Sequence, residues 1–353
     1  MTDRVPIFVE LCAGTAALSL RLEHPRARPP VSRMGAKTGY ADVILRCMGL
    51  RPGQGAERYL WCEPDAGVRL LLNAYRDREL ATAAADIIRG WADEDPRALW
   101  ERLRAEGPAV CPPVDAREVA RWAFLWRGSF SQKGPNAGIG TPEGRPQTAT
   151  FGGFRPTIVE LGEHIPALPT LPATIADDAR KVDPREVARC LQIMASNELI
   201  NLDSKTWKNT GQGGSTFGGA IGYGADRMLR KLEAAPTLPA TIADDARAID
   251  PPQLPPGVVV YIDPPYLDTT GYAHAFPRSE WIPVVRRWQQ AGALVVVSEA
   301  EPIPELVADG WHAVRIDGER KGQKRTFSRQ QAEWLTMSEP PRWRPSVQMG
   351  LWR

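Results

Sequence analysis

Residues 257–266 read GVVVYIDPPY, and the chain continues as LDTTGY to Tyr272. Val258, Val259, Val260, Tyr261 and Ile262 form an unbroken apolar, β-branched and aromatic run, the character of a strand buried on both faces of a parallel sheet. The run stops at a carboxylate, Asp263, followed by two prolines. Proline has no N–H and fixes φ near about −65°, so Pro264 and Pro265 end the ladder and stiffen the backbone beyond it. Parallel neighbours need crossover connections, so this stretch predicts an α/β fold.

Working outward, similar runs recur between helical patterns: PIFVEL, YLWCE, ATIAD, LVVVSE, HAVRI and EWLTM. The alternation predicts a mostly parallel central sheet of the Rossmann-like kind. Several of these strands end in acids: Glu10, Glu63, Asp244 with Asp245, Asp263 and Glu299. In open parallel sheets, ligands bind beyond the carboxyl ends of the strands, so these acids are expected to converge on one crevice. An acid in such a place also caps the helix that follows, and any single one of them is open to that reading.

The first strand runs into ELCAGTAALSL. A dinucleotide fingerprint requires GxGxxG; here Gly14 stands alone among Ala13, Thr15, Ala16 and Ala17, which disfavours nicotinamide and flavin cofactors. A small-residue turn after an acid suits a ligand with an amino group and ribose hydroxyls but no phosphate, a description that S-adenosylmethionine fits. Taken alone, it is equally a tight strand-to-helix turn. Further on, SRMGAKTGY places Gly35 and Lys37 before a helical pattern, either an anion-facing turn or an exposed loop.

Composition narrows the class. With 353 residues, 43% of them apolar, the chain can bury a full core. Five scattered cysteines lack CxxC spacing and only four histidines are present, which suggests neither a disulfide framework nor a metal site and makes a reducing cytoplasm the expected setting. The charged N-terminus leads directly into a strand, and no apolar stretch is long enough to span a bilayer, so no membrane association is expected. A net charge of +2 does not by itself imply nucleic acid. Local clusters do so better: RKGQKRTFSR carries Lys321, Lys324 and Arg325 in a turn between two strands, either a solvated hairpin tip or a contact for phosphates.

The middle of the chain is duplicated. PTLPATIADDAR occurs at Pro169–Arg180 and, letter for letter, at Pro236–Arg247, while VDAREVAR at Val114 matches VDPREVAR at Val182. The copies span about residues 114–180 and 182–247, with unlike centres rich in Gly, Ser, Asn, basic and aromatic residues. Those centres contain Lys133 and Lys208 and suit adaptable contacts to a polar partner, or solvated loops. The expected organisation is a catalytic domain in two parts, 1–112 with the cofactor loop and 237–353 with DPPY, flanking a target-recognition insert at 113–236. Removal of either copy is expected to be tolerated.

Taken together, FVELCAGTAALSL, IDPPYLDTTGY and the terminal strand EWLTMS resemble the Dam-like adenine methyltransferases of bacteria and phages, over roughly residues 5–85 and 237–340. The resemblance implies a Rossmann-like S-adenosylmethionine-dependent fold acting on double-stranded DNA, with single-stranded DNA as a further substrate. It implies that Glu10, Leu11, Cys12, Ala13, Gly14, Thr15 and Ala16 line the cofactor pocket. Glu63 or Asp65 would meet the ribose hydroxyls, with Pro64 between them in the pocket, and Asp245 would approach the cofactor's adenine, with Asp263 also beside the cofactor. The family's Gly-Gly-Lys element normally precedes the cofactor loop, whereas RMGAK follows it here, and Lys37 is assigned to the pocket on that footing.

Chemistry accounts for the remaining choices. An exocyclic purine amine is a poor nucleophile because its lone pair is delocalised into the ring. If Asp263 accepts one of its N–H groups and the carbonyl of Pro264 the other, the lone pair turns out of the ring towards a methyl donor. Pro265 keeps that carbonyl aimed, and Tyr266 offers a stacking platform for a base rotated out of the duplex. Tyr272 would reach the DNA at the vacated position, or pack beneath the loop. No metal is needed. Cytosine N4 transfer, transfer to a protein side-chain amide, and a catalytically disabled DNA-binding relative are the alternatives. With no nuclease-like segment fused to it, an orphan phage-type enzyme is favoured over a partner in restriction.

Overall fold

The structure, a computed structural model, describes residues 4–31, 36–128, 154–188, 254–265, 276–316 and 333–344. Two compact units divide the chain: Met1–Val182 with Pro255–Arg353, and Asp183–Leu254. Of the second, residues 183–188 and 254 are described, with 184–188 helical. The second unit nearly coincides with the second repeat copy, and residues 113–182 of the expected insert stand with the first unit.

In the first unit, seven strands form one sheet: β1 (Val5–Glu10), β2 (Ala56–Cys62), β3 (Ala173–Ala176), β4 (Val259–Ile262), β5 (Leu294–Glu299), β6 (His312–Arg315) and β7 (Trp334–Met337). Their spatial order is β3-β2-β1-β4-β5-β7-β6. The first five pair in parallel, whereas β7 runs antiparallel to both β5 and β6. The mostly parallel α/β sheet expected from the sequence is therefore present. A strand inserted between the fifth and sixth positions sets it apart from the dinucleotide-binding order 3-2-1-4-5-6.

The central strands carry the apolar runs. Val9 lies opposite Leu60 on one side and Val260 on the other, and Val9, Val260, Val295, Val296 and Val297 have no exposed surface. Such continuous burial requires cover on both faces. Helices α1 (Ala17–Glu23), α2 (Ala41–Cys47), α3 (Ala66–Ala74), α4 (Arg78–Gly90), α5 (Pro96–Ala105), α6 (Ala116–Gly128), α7 (Phe154–Ala167), α8 (Arg278–Gln290) and α9 (Pro304–Ala308) complete the described residues of this unit.

Caps start several helices where the chain leaves a loop. Asp65 accepts the Val68 amide at 3.2 Å ahead of α3; Asp77 accepts those of Glu79 and Leu80 ahead of α4, and Asp95 that of Ala98 ahead of α5. Helices α6 and α7 pack on α4, and α6 also packs on α3. A Cβ at Gly67 of α3 would stand 2.5 Å from Cε3 of the buried Trp122 of α6, so glycine permits this close approach.

The edge strand is a correction to the expected assignment. The sequence reading used the second PATIADDA copy, shortly before DPPY, for this strand; in the structure the first copy, Ala173–Ala176, pairs with β2. Asp244 and Asp245 lie outside the described residues. Parallel pairing tolerates a long excursion between β3 and β4, so nearness to DPPY in the sequence does not decide which copy pairs.

Candidate functional site

The chain changes direction of winding between β1 and β4, the place where an open α/β sheet forms a crevice. Backbone contacts shape that crevice. Leu11 N–H donates to the Tyr261 carbonyl at 2.9 Å and Ala13 N–H to the Cys62 carbonyl at 2.9 Å, so the turn after β1 is pinned to the ends of β4 and β2. Gly14 has φ +50°, which glycine adopts freely, but Ala16 has φ 49° and ψ 42°, a left-handed conformation that costs a non-glycine residue about 1–2 kcal/mol.

Around this turn opens a cavity of about 490 Å³, a size suited to a small-molecule ligand. Its wall includes Glu10, Leu11, Cys12, Ala13, Gly14 and Thr15 from the turn, Lys37 from the 3-10 turn Lys37–Gly39, and Glu63 and Pro64 beyond β2. Arg69 of α3, then Asp177, Asp178, Arg180 and Lys181 beyond β3, and Tyr261, Asp263 and Pro265 from β4 onward, add to it. Three strand ends that sequence alone marked as acidic, those at Glu10, Glu63 and Asp263, thus share one chamber, joined there by Asp177 and Asp178 of the first repeat copy. Glu299, at the fifth, does not line it; its Oε1 lies 3.7 Å from Arg278.

Each acid has a distinct environment. Glu10 is 2% exposed; its Oε1 accepts from Ser19 N at 2.9 Å and from Ser19 Oγ, which in turn accepts from Trp61 Nε1 at 2.8 Å. Burial pushes its carboxyl up to about 7, with the Ser19 hydrogen bonds opposing and the negative charge of Asp263 adding to the rise. Glu63 accepts Gly14 N–H through Oε2 at 2.8 Å and Asp65 N–H through Oε1 at 3.0 Å. Asp178 accepts from Arg180, whose guanidinium also meets Glu280 at 2.5 Å and lies 5.6 Å from the centre of the Phe276 ring. Phe276 itself lines the cavity.

Asp263 faces a cation. Lys37 Nζ stands 2.9 Å from Asp263 Oδ1 and 3.5 Å from Glu333 Oε1, with Lys37 only 6% exposed. Beside them the Tyr261 hydroxyl and Ser298 Oγ are 2.6 Å apart, and burial, reinforced by the charges of Asp263 and Glu333, holds the phenol well above its usual range.

Of the residues proposed from sequence, Pro264 is buried at the strand end but outside the lining, and Ala16 lies buried beneath the turn. Asp65 caps α3 and does not line the cavity, so of the two acids around Pro64 it is Glu63 that lines it. Tyr266, Tyr272, Lys133, Lys208, Lys321, Lys324, Arg325 and Asp245 lie outside the described residues. Sequence reasoning missed Asp177, Asp178, Arg69, Arg180, Phe276 and Glu333. The two aspartates had a signal, since the copies are identical and any role given to Asp245 applies equally to Asp178.

The wall carries five carboxyl side chains, Glu10, Glu63, Asp177, Asp178 and Asp263, and four basic ones, Lys37, Arg69, Arg180 and Lys181. Thr15 Oγ1, in a residue 5% exposed, has no hydrogen-bond partner among the described residues. Among the described residues no cluster of three or more His, Cys, Asp or Glu is arranged to hold a metal ion, and no helix is long and apolar enough to cross a membrane. No family model and no curated protein matches the chain.

Proposed function

We propose that this protein is a DNA methyltransferase of the Dam-like kind, moving a methyl group from S-adenosylmethionine to the exocyclic amine of adenine in a base rotated out of the duplex. The observation that carries this reading is that Asp263 and Pro265, at the end of β4, open onto the same cavity as the Glu10–Thr15 turn of β1. A methyl donor and an amine-activating carboxylate are needed side by side, and one chamber serves both. When bound, the cofactor supplies an electrophilic methyl on a sulfonium.

The chain's own groups do the rest. Glu10 and Glu63 offer carboxylate oxygens to an ammonium and to ribose hydroxyls, with Thr15 Oγ1 as a further hydrogen-bonding atom. Asp178 takes the adenine-facing role that the resemblance gave to its duplicate, Asp245. Asp263 accepts one amine hydrogen and the Pro264 carbonyl the other, exposing the nitrogen lone pair. Tyr266 stacks on the extruded base, and Lys133, Lys208, Tyr272, Lys321, Lys324 and Arg325 contact the DNA. Free cysteines at Cys12, Cys47, Cys62 and Cys111 suit work in the cytoplasm.

Incubation with labelled S-adenosylmethionine and double-stranded DNA, followed by nucleoside analysis, tests this. N6-methyladenine from the wild type, with none from Asp263→Ala, is the expected result. N4-methylcytosine would move the target to cytosine. DNA binding without label would identify a disabled relative.

A further inference from the structure

The end of the sheet away from the cavity gathers arginines. There the last turn of α1 meets the loop ahead of β2, with Gly53 N–H donating to the Arg21 carbonyl at 3.2 Å and Gly55 N–H to that of Leu22 at 2.8 Å. The C-terminal end of α2 meets the stretch after β7, where Arg342 N–H donates to the Cys47 carbonyl at 2.9 Å. Residues 21–28, 42–54 and 339–344 thus form one surface, and they carry seven arginines, no lysine and three acids, a surplus of +4 against +2 for the whole chain. Each acid already has an arginine partner: Glu23 meets Arg4 at 2.7 Å, Asp42 meets Arg21 at 2.8 Å and Glu339 meets Arg342 at 3.5 Å. The Arg21 hydrogen bond, opposed by burial and joined by the charges of Arg21, Arg46 and Arg28, holds the Asp42 carboxyl below its usual range, so these guanidiniums surround one acid. Arg26, Arg28, Arg46, Arg51 and Arg344 are exposed. Arg26, Arg28 and Arg344 make no ion pair among the described residues, and the Arg46 guanidinium stands 5.7 Å from the centre of the Trp343 ring.

We propose that this surface holds a second segment of duplex DNA by its phosphate backbone, apart from the duplex whose base enters the crevice; the choice of DNA rests on the methyl-transfer reading above. Like charges gathered on one face repel one another until a polyanion neutralises them. Planar guanidinium forks match phosphate oxygens two at a time, which suits an all-arginine cluster. The large apolar side chains exposed among the described residues, Val110 and Val307, lie outside these stretches, so the surface offers nothing to insert into a bilayer or to pack on an apolar protein face. Contacts to phosphates read no sequence. A chain that grips backbone at one end of its sheet, with a target adenine at the other, passes between DNA segments without releasing both.

Fluorescence anisotropy with a short labelled duplex, carried to saturation over a range of salt concentrations, compares the wild type with Arg26→Gln/Arg28→Gln/Arg344→Gln. None of the three side chains has an ion-pair partner to strand, and a thermal melt checks that the variant folds. The wild type is expected to saturate at two duplexes per chain, the second step weakening steeply as salt rises. In the variant that step should weaken about tenfold or more, while single-turnover methylation at saturating DNA stays within about twofold. Saturation at one duplex in the wild type, or an unchanged second step in the variant, would overturn the proposal and leave methyl transfer standing. Variant-sensitive binding of poly-glutamate without a second duplex would also overturn it, and would assign the surface to an acidic protein. Two duplexes bound with no methyl group transferred would keep this surface and remove the methyltransferase reading.

Discussion

Glu63 Oε2 accepts the amide hydrogen of Gly14 at 2.8 Å, so the residue that follows β2 holds the turn that follows β1. The same carboxylate takes the Asp65 amide, and a ligand hydroxyl at the cavity wall would be a further donor to it. Glu63→Ala is therefore expected to weaken S-adenosylmethionine binding by roughly 1.5–3 kcal/mol, the range for hydrogen bonds to a charged group. Titration calorimetry checks it; unchanged affinity would mean that the ribose hydroxyls lie elsewhere.

Glu10 makes stability depend on pH in an unusual direction for an acid. Its carboxyl rises from 4.5 to about 7 in the folded protein, chiefly through burial. The folded state therefore holds the proton more tightly than the unfolded chain. The resulting stabilisation is fully present below about pH 4.5 and is lost as pH rises through about 7, with a ceiling of roughly 3 kcal/mol. Glu10→Gln, which can still accept from Ser19, should be more stable than wild type at pH 8, with the gap closing towards pH 5 in denaturant titrations. A cationic ligand favours the ionised form, so wild-type cofactor affinity should rise between pH 6 and 8 and flatten in the variant.

At Gly67 the prediction is steric. A methyl group there meets the rigid Trp122 ring at 2.5 Å, inside a packed helix interface. Gly67→Ala is expected to cost about 1–3 kcal/mol in chemical denaturation, as overpacking does, and Trp122→Leu in the same chain to recover part of that loss. Additive effects of the two substitutions would argue against the contact.

Much of this architecture was legible in advance, for a physical reason. Every strand of the described sheet overlaps one of the apolar runs read from the sequence, though β2 starts three residues before its run, because β-branched and aromatic clusters bounded by polar turns report local burial. What local pattern cannot report is pairing. The choice of the first repeat copy for β3 and the meeting of Lys37 with Asp263 and Glu333 are set by contacts between segments far apart in the chain. Glu63 and Asp65 fall between these cases: both follow a strand, yet Asp65 stands directly before a helix, the position where an aspartate caps, and that distinction was readable.

The repeat also yields an asymmetric prediction where a symmetric one was expected. Deleting Lys181–Arg247 leaves β3, α6 and α7 in place and restores the Arg-Ala junction that the second copy now makes at Arg247–Ala248. Deleting Val114–Lys181 instead removes α6, whose Val119, Ala120, Ala123, Phe124 and Leu125 are at most 1% exposed, together with α7. The first product should melt cooperatively and bind S-adenosylmethionine; the second should not fold. Equal folding of both would show the two modules to be interchangeable.

The near-coincidence of the second compact unit with the second copy has a consequence for the gene. Two coding stretches for the same twelve residues lie 67 codons apart, so recombination between them would keep the reading frame wherever their codons also match. Because β3 comes from the upstream stretch or from its indistinguishable fusion with the downstream one, the shortened allele still encodes every strand of the sheet. With matching codons, a culture carrying this gene is expected to contain both lengths, and long-read amplicon sequencing across the locus would count them.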